Sequence, residues 1–395
     1  MGKILIVSAV YPPEPVVSAR LSYDIYDTLK ALGEDVTVLH PRPSRPNGYL
    51  FEPTNRTIDE VETMSFTCPK SSLWGRFRES ISFGKATFSY IKTHYKEIDV
   101  IYANTWPLFS QYYLARAAKK YKIPFFIHVQ DIYPESYCFK MPMLIGKFVF
   151  HCLLPIDRYV VKNAERVIAI SPSMITYLSK SRKVKESSFI LIRNWQDDKQ
   201  YIDAYRPLRQ CEEPYQIMYL GSINPTANVS LIIKSLAMLD RRMFHLSIIG
   251  DGPERYNCEV LARQKGLDVS FGAVSPEQVA DKQRTANVLV LCLKKGVAKT
   301  ATPSKLTAYM LSGRPIIASV DLDSDCANII REVGGIVVEP DNETALCEAI
   351  QIMANKQLKE LQNIGQRSFD YAINHLSKQK NISVLTNCLL NFKNE

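Results

Sequence analysis

Hydrophobic and polar positions along this chain fall into two successive cycles of buried strand and amphipathic helix. Lys3–Val10 is a continuous apolar run, and a stretch with helical spacing, Ala19–Leu32, follows it and closes at Gly33. Short apolar runs recur at Asp35–His40, Ile98–Ala103, Pro124–Val129 and Arg166–Ile170, with helical patterns at Phe109–Tyr121 and Ile156–Ala164 between them. Strands that are apolar on both faces predict a parallel sheet wrapped by helices. The opening is Rossmann-like, although no G-x-G-x-x-G follows the first strand.

The cycle then restarts. Asp197–Pro214 is polar, carries Pro207 and Pro214, and reads as a linker. Strands are expected at Tyr215–Leu220, His245–Gly250, Asp268–Phe271, Val288–Leu293, Pro315–Ser319 and Gly335–Val338. Helices are expected at Val229–Leu239, Glu254–Lys265, Pro276–Arg284, Ser304–Ser312, Ala327–Val333 and Glu343–Asn355. The pattern predicts a first domain over 1–197, a linker over 198–213, a second domain over 214–368 and a helical tail over 369–395.

A length of 395 residues fits two domains. The net charge of +9 is uneven: residues 1–200 hold 27 Lys+Arg against 19 Asp+Glu, whereas residues 201–395 hold 22 against 21. The amino-terminal half therefore suits an anionic partner or simply keeps the chain soluble. Two stretches there, Leu73–Tyr95 and Met143–Leu154, mix large apolar residues with lysine and arginine. Either a membrane interface or packing against the sheet accounts for each. The nine cysteines form no C-x-x-C pair and several sit in apolar runs, as Cys292 does, which predicts reduced core thiols. The apolar run at the start is too short for a signal peptide, and no run is long enough for a transmembrane helix. These features predict a cytoplasmic chain, free or peripheral on the inner face of the membrane. No nucleic-acid motif is present.

Candidate chemistry sits where strands end. Leu246–Pro253 is a strand breaking into a glycine turn at Gly250 and Asp251. Thr302, Pro303 and Ser304 open a helix whose free N–H groups and dipole favour a phosphate, and Lys305 adds a point charge. In the first half, Pro124–Val129 runs through His128 into Gln130-Asp131-Ile132-Tyr133-Pro134-Glu135. His128 and Asp131 are candidate hydrogen-bond acceptors for an attacking hydroxyl; a core histidine and a turn aspartate are the plain alternatives. Asp321-Leu322-Asp323 resembles a metal–diphosphate signature, but an acidic cap before the helix at Ala327 explains it, and no metal site is expected.

The ordered set Tyr219–Gly221, Gly250–Pro253, Gly272–Val274 and Pro303–Ile317 resembles the retaining glycosyltransferases of family 4 across nearly the whole chain. Its nearest likeness is the subgroup that builds bacterial surface polysaccharides with amino-deoxy sugars, on the strength of Pro-Ser-Lys-Leu at 303–306 and D-x-x-P-E at 131–135. The resemblance implies an α/β GT-B fold: two Rossmann-like domains facing across a cleft, with the carboxyl-terminal helix crossing back to the first. It implies a nucleotide-sugar donor, UDP-linked, bound by Gly221, Ser222, Gly250, Asp251, Val274, Thr302, Pro303, Ser304 and Lys305. It implies a polyprenyl-diphosphate-linked or glycan acceptor near Arg20 and Glu135, with His128 and Asp131 at the reacting centre. Transfer would need no cofactor and no metal; the nucleotide sugar is a substrate, and amides near Gly221 would help hold the leaving diphosphate.

Two departures stand against that pattern. The loop after Gly221 lacks the usual Arg and Lys, leaving Lys294, Lys295, Lys299 and Lys305 to supply charge. The paired glutamates expected in the donor domain are Thr300 and Ala308 here. A non-catalytic partner subunit and a UDP-N-acetylhexosamine 2-epimerase are the alternative readings.

Overall fold

The computed structural model describes residues 2–45, 51, 57–68, 72–104, 107–138, 141–195, 197–210, 213–298, 303 and 305–394. The chain divides into two units, Met1–Asn194 with Asn381–Glu395, and Trp195–Lys380.

Among the described residues unit one holds seven strands: β1 (Lys3–Ser8), β2 (Val36–Pro41), β3 (Glu60–Thr63), β4 (Ile98–Asn104), β5 (Phe125–Val129), β6 (Arg166–Ala169) and β7 (Phe189–Leu191). All neighbours pair in parallel, in the order β3-β2-β1-β4-β5-β6-β7. The central strands are buried on both faces, as their unbroken apolar runs require. Leu5, Ile101, Ile127 and Val167 project into one cluster with Phe83, Leu114 and Val160 from the helices Leu73–His94, Leu108–Tyr121 and Met143–Asn163. The final helix, Lys378–Asn394, belongs to unit one from Asn381 onward. Its Phe392 ring meets Phe126 edge-on at 5.2 Å, Asn381 accepts from the Arg193 amide at 2.9 Å, and Lys393 pairs with Glu34.

Unit two holds β8 (Tyr215–Leu220), β9 (Phe244–Ile249), β10 (Val269–Gly272), β11 (Val288–Cys292), β12 (Ile316–Ser319) and β13 (Ile336–Val338), parallel in the order β10-β9-β8-β11-β12-β13. Each unit is thus a Rossmann-like doubly wound domain, two parallel sheets built on the same plan.

Several elements differ from the sequence pattern. Met143–Leu154 and Ile156–Ala164 are one helix, Met143–Asn163, with Pro155 inside it. The tail is not a single helix. Leu358–Tyr371 runs into a π turn, Ala372–Leu376, and the chain then breaks at Ser377, whose hydroxyl accepts the Lys380 amide at 3.3 Å. A short helix, Lys199–Ala204, forms inside the polar stretch expected to be a linker, with Tyr201 buried. The strands β3 and β7 lie at the sheet edges and show no readable pattern: β3 is Glu-Val-Glu-Thr, too polar, and β7 is Phe-Ile-Leu, apolar but only three residues long.

Candidate functional site

In a parallel sheet every strand ends on the same edge, and the loops beyond that edge are where ligands bind. In unit two this edge gathers Gly221, Gly250, Lys305 and Tyr219. Gly221 and Gly250 have φ of 144° and 150°. A methyl on Gly221 would lie 2.1 Å from the Lys305 Cε, and one on Gly250 would lie 2.0 Å from the Gly221 carbonyl oxygen. The two glycines therefore bring two loops and one lysine into a space that no side chain could share.

Lys305 begins the helix Lys305–Leu311. Its ammonium donates to the Tyr219 hydroxyl at 2.6 Å and to the Ser222 carbonyl at 3.3 Å, and lies 4.8 Å from the Tyr219 ring centre. The Tyr219 hydroxyl itself donates to the Ser222 carbonyl at 2.6 Å. No carboxylate pairs with Lys305 among the described residues. Burial without a counter-ion lowers its pKa from 10.5 to about 8. Tyr309 braces the same turn from below: its hydroxyl accepts the Leu220 amide at 2.8 Å and donates to the Leu220 carbonyl at 3.0 Å.

The glycine-turn amides are already occupied, against the expectation that they would hold a diphosphate. Gly221 N–H donates to Ile249, Gly250 N–H to Gly272, and Gly252 N–H to the Asp251 carboxylate, each at 2.8 Å. Gly221 and Gly250 thus supply room rather than donors, and Asp251 closes its own turn. Ser222 contributes its carbonyl to Lys305. Val274 packs half-buried against the core. Pro303 accepts the Leu306 amide at 3.0 Å at the start of the helix. Thr302 and Ser304 lie outside the described residues, as does Thr300; Ala308 is buried. Both Asp321 carboxylate oxygens accept the Gly296 amide at 2.9 Å, and Ser324 caps the helix Asp325–Glu332, so this acidic stretch is a loop clasp. No group of metal-ligating side chains occurs among the described residues.

The corresponding edge of unit one is a closed polar network. Ser18 donates to Gln130 at 2.7 Å, Gln130 to Asn104 at 3.1 Å, and Asn104 to Ser22 at 2.8 Å, while Ser22 and Ser8 bond at 2.8 Å. This ties the ends of β1, β4 and β5 to the start of the helix Val17–Ala31. Arg20, on that helix, is exposed and bonds Asp24 at 3.0 Å. Asp131 follows the network and is exposed.

Two expectations for unit one are corrected. His128 is not presented at the edge: it is 2% exposed, its Nδ1 bonds the Tyr102 hydroxyl at 2.7 Å, and burial lowers its pKa to about 4. It lies one residue before the strand's end and on the face shared with Phe126, so its ring is a core imidazole. Glu135 is not open to an acceptor. Arg182, whose side chain is fully buried, grips both Glu135 oxygens, the Asp157 carboxylate at 2.6 Å and the Tyr133 carbonyl at 2.6 Å. Tyr177 adds a bond to Glu135 at 2.8 Å. No local pattern marks Arg182, because its partners lie 25 to 49 positions away. Tyr219 stood within a quoted motif but only the fold reveals its contact with Lys305.

Two parallel-sheet Rossmann-like domains of this kind define the GT-B architecture of glycosyltransferases. A family model described as a glycosyl transferase 4-like domain matches residues 18–195, and one described as glycosyl transferases group 1 matches residues 214–356. Between them they account for both domains, and the chain belongs to these family 4-like glycosyltransferases. It is 22% identical over 374 residues to WcaI of Escherichia coli (strain K12), described as a candidate colanic acid biosynthesis glycosyl transferase, covering 88% of this chain and 91% of that one. Similar solved structures include sucrose-phosphate synthase of Thermosynechococcus elongatus, with a TM-score of 0.70, 18% identity and 99% of both chains covered. They also include the lipopolysaccharide outer core galactosyltransferase WaaB, with a TM-score of 0.68, 17% identity and 99% of both chains covered. A third is Anabaena HepE in complex with UDP, with a TM-score of 0.64, 14% identity, and 99% of this chain and 100% of that one covered.

Proposed function

We propose that the chain transfers a sugar from a UDP-linked donor, held by unit two, to a lipid-diphosphate-linked or glycan acceptor in bacterial surface polysaccharide synthesis. The observation that carries this reading is Lys305: a half-buried ammonium with no carboxylate partner among the described residues, at a glycine-walled strand edge. A buried cation without a counter-ion is costly, and an anionic ligand offsets that cost. A diphosphate is the ligand that edge chemistry of a doubly wound sheet most readily takes. The UDP complex of HepE and the polysaccharide context of WcaI and WaaB support the donor and the pathway class. We assign the amino-deoxysugar subgroup from the Pro303–Leu306 and Asp131–Glu135 motifs.

In this reading Lys305 neutralises the leaving diphosphate, a preorganised electrostatic role. The acceptor hydroxyl attacks the anomeric carbon from the same face, assisted by a departing phosphate oxygen, with retention and without metal. Asp131, exposed beside the Gln130–Asn104 network, accepts a hydrogen bond from the acceptor and positions it, while the proton leaves with the departing phosphate.

Thermal stabilisation by a panel of nucleotides and nucleotide sugars tests it, since a ligand of the folded state raises the melting temperature by mass action. The expected result is a shift with UDP and with one UDP-sugar, reduced in Lys305→Ala. A shift with only GDP- or dTDP-sugars corrects the donor. No shift with any nucleotide, with or without acceptor, favours a non-catalytic partner subunit, the reading that the absence of glutamate at Thr300 and Ala308 supports. Epimerised free sugar formed without acceptor would identify an isomerase.

A further inference from the structure

We infer that Tyr219 is a positioning residue at the carboxyl edge of unit two: its hydroxyl keeps Lys305 in the charged form and leaves that charge available to an anion. The consequence for a diphosphate rests on the donor reading above; the contact itself does not.

A tyrosine hydroxyl has one proton to donate and lone pairs with which to accept. In Tyr219 the proton is committed, since the hydroxyl donates to the Ser222 carbonyl at 2.6 Å. What it presents to Lys305, also at 2.6 Å, is therefore lone pairs only. An ammonium carries three N–H donors and suits such a partner at any rotation, whereas a neutral amine gives up one donor for a lone pair that finds no proton here. The second partner, the Ser222 carbonyl at 3.3 Å, is likewise an acceptor only. Both contacts favour the charged form and oppose the burial that disfavours it. The Tyr219 ring, 4.8 Å from the ammonium, adds the attraction of its π face.

The surroundings hold this contact in place. Tyr219 is fully buried near the end of β8, and Tyr309 bonds both backbone groups of the adjoining Leu220. A methyl on Gly221 would lie 2.1 Å from the Lys305 Cε, so the lysine stem crosses directly over that glycine.

The kind of partner decides what the site can do. A carboxylate in this place would hold the proton more firmly but cancel the charge. Tyr219 does not, because burial raises its pKa well above the ordinary tyrosine range and it stays neutral at any working pH. The other titratable groups nearby are neutral as well. Burial pushes the thiol of Cys292, at the end of β11, up to about 12, and raises the Tyr309 hydroxyl in the same way. Asp341 acts on Cys292 from a distance, and its carboxylate accepts a bond from Asn228 at 2.6 Å. The edge thus keeps one positive charge that its neighbours among the described residues secure without neutralising.

Tyr219→Phe, which keeps the ring and removes the hydroxyl, tests this in the full chain. Competitive amine labelling across pH, followed on the peptide containing Lys305, reports the protonation of the unliganded lysine. Its midpoint should fall by about one unit in the variant. Calorimetric UDP affinity, taken as the ratio of variant to parent at each pH, cancels any titration of the nucleotide. That ratio should be about fivefold reduced at pH 8 and close to one at pH 6, where the lysine is protonated in both chains. A cooperative melt checks that the variant folds. An unchanged or raised labelling midpoint overturns the inference. An affinity loss equal at both pH values also overturns it, since a merely structural role would give that result. A midpoint that falls in a chain that binds no UDP keeps this inference and loses the donor reading.

Discussion

The carboxyl edges of the two sheets are built alike and finished differently. In unit one the charged groups at the edge answer one another: Arg182 is enclosed by Glu135, Asp157 and Tyr133, and Ser18, Gln130, Asn104 and Ser22 close a chain of hydrogen bonds. In unit two the partners of Lys305 among the described residues are neutral oxygens, from Tyr219 and Ser222. An edge whose charges are matched contributes to stability, whereas an edge with an unmatched charge is poised for a ligand. The comparison separates residues whose loss should unfold the chain from residues whose loss should empty it.

The largest effect expected from that contrast is at Arg182. Replacing it by methionine leaves two buried or half-buried carboxylates without a cation and should cost about 3–5 kcal/mol, measured by urea unfolding. A cost within experimental error of zero would make the Arg182 cluster incidental. At Lys305 the expectation is the reverse. Lys305→Ala should leave the unliganded chain as stable as before or more so, because the uncompensated half-buried charge is gone, while UDP binding falls.

Proton linkage sharpens the same contrast. Lys305 has a folded-state pKa of about 8 against an ordinary 10.5. Between those values the unfolded chain holds the proton that the folded chain has released, so the lysine makes the unliganded protein more stable as pH rises through that window. Diphosphate affinity should fall over the same rise, as the ammonium becomes an amine. Lys305→Arg retains its charge there and should flatten the binding profile; a profile that stays steep would place the titration elsewhere.

The smallest and most local effect belongs to His128 in unit one. Its folded pKa of about 4 lies below the ordinary 6.5, so between these values only the unfolded chain takes up the proton. Stability should therefore fall as pH drops through that window. His128→Leu should show a shallower acid dependence than the parent in thermal melts. Identical slopes would mean that His128 can be protonated inside the fold, contrary to its burial.

Strands such as β1, β8 and β11 were legible because a strand buried on both faces must be apolar at every position. The edge strands β3 and β7 were not: β3 has one partner and tolerates glutamates, and β7, Phe-Ile-Leu, is too short to show a pattern. Lys305 could be found by its place after a proline at a helix start. Its isolation could not, because the lack of a counter-ion is a property of what surrounds it in space. For Glu135 the same limit misled: an acid in a motif looks available until Arg182, brought from a distant helix, is seen to hold it. His128 failed for a third reason. The strand β5 is covered on both faces, so a polar residue within it is enclosed whichever way it points, and only residues past Val129 reach the edge.

The last helix bears on synthesis. Unit one consists of Met1–Asn194 completed by Asn381–Glu395, so its first and final pieces are translated with all of unit two between them. During translation unit two can finish folding while unit one still lacks the segment that places Phe392 on Phe126. The domain made first is thereby the domain finished last, and a ribosome stalled within the final helix would release a protein whose defect appears at its opposite end.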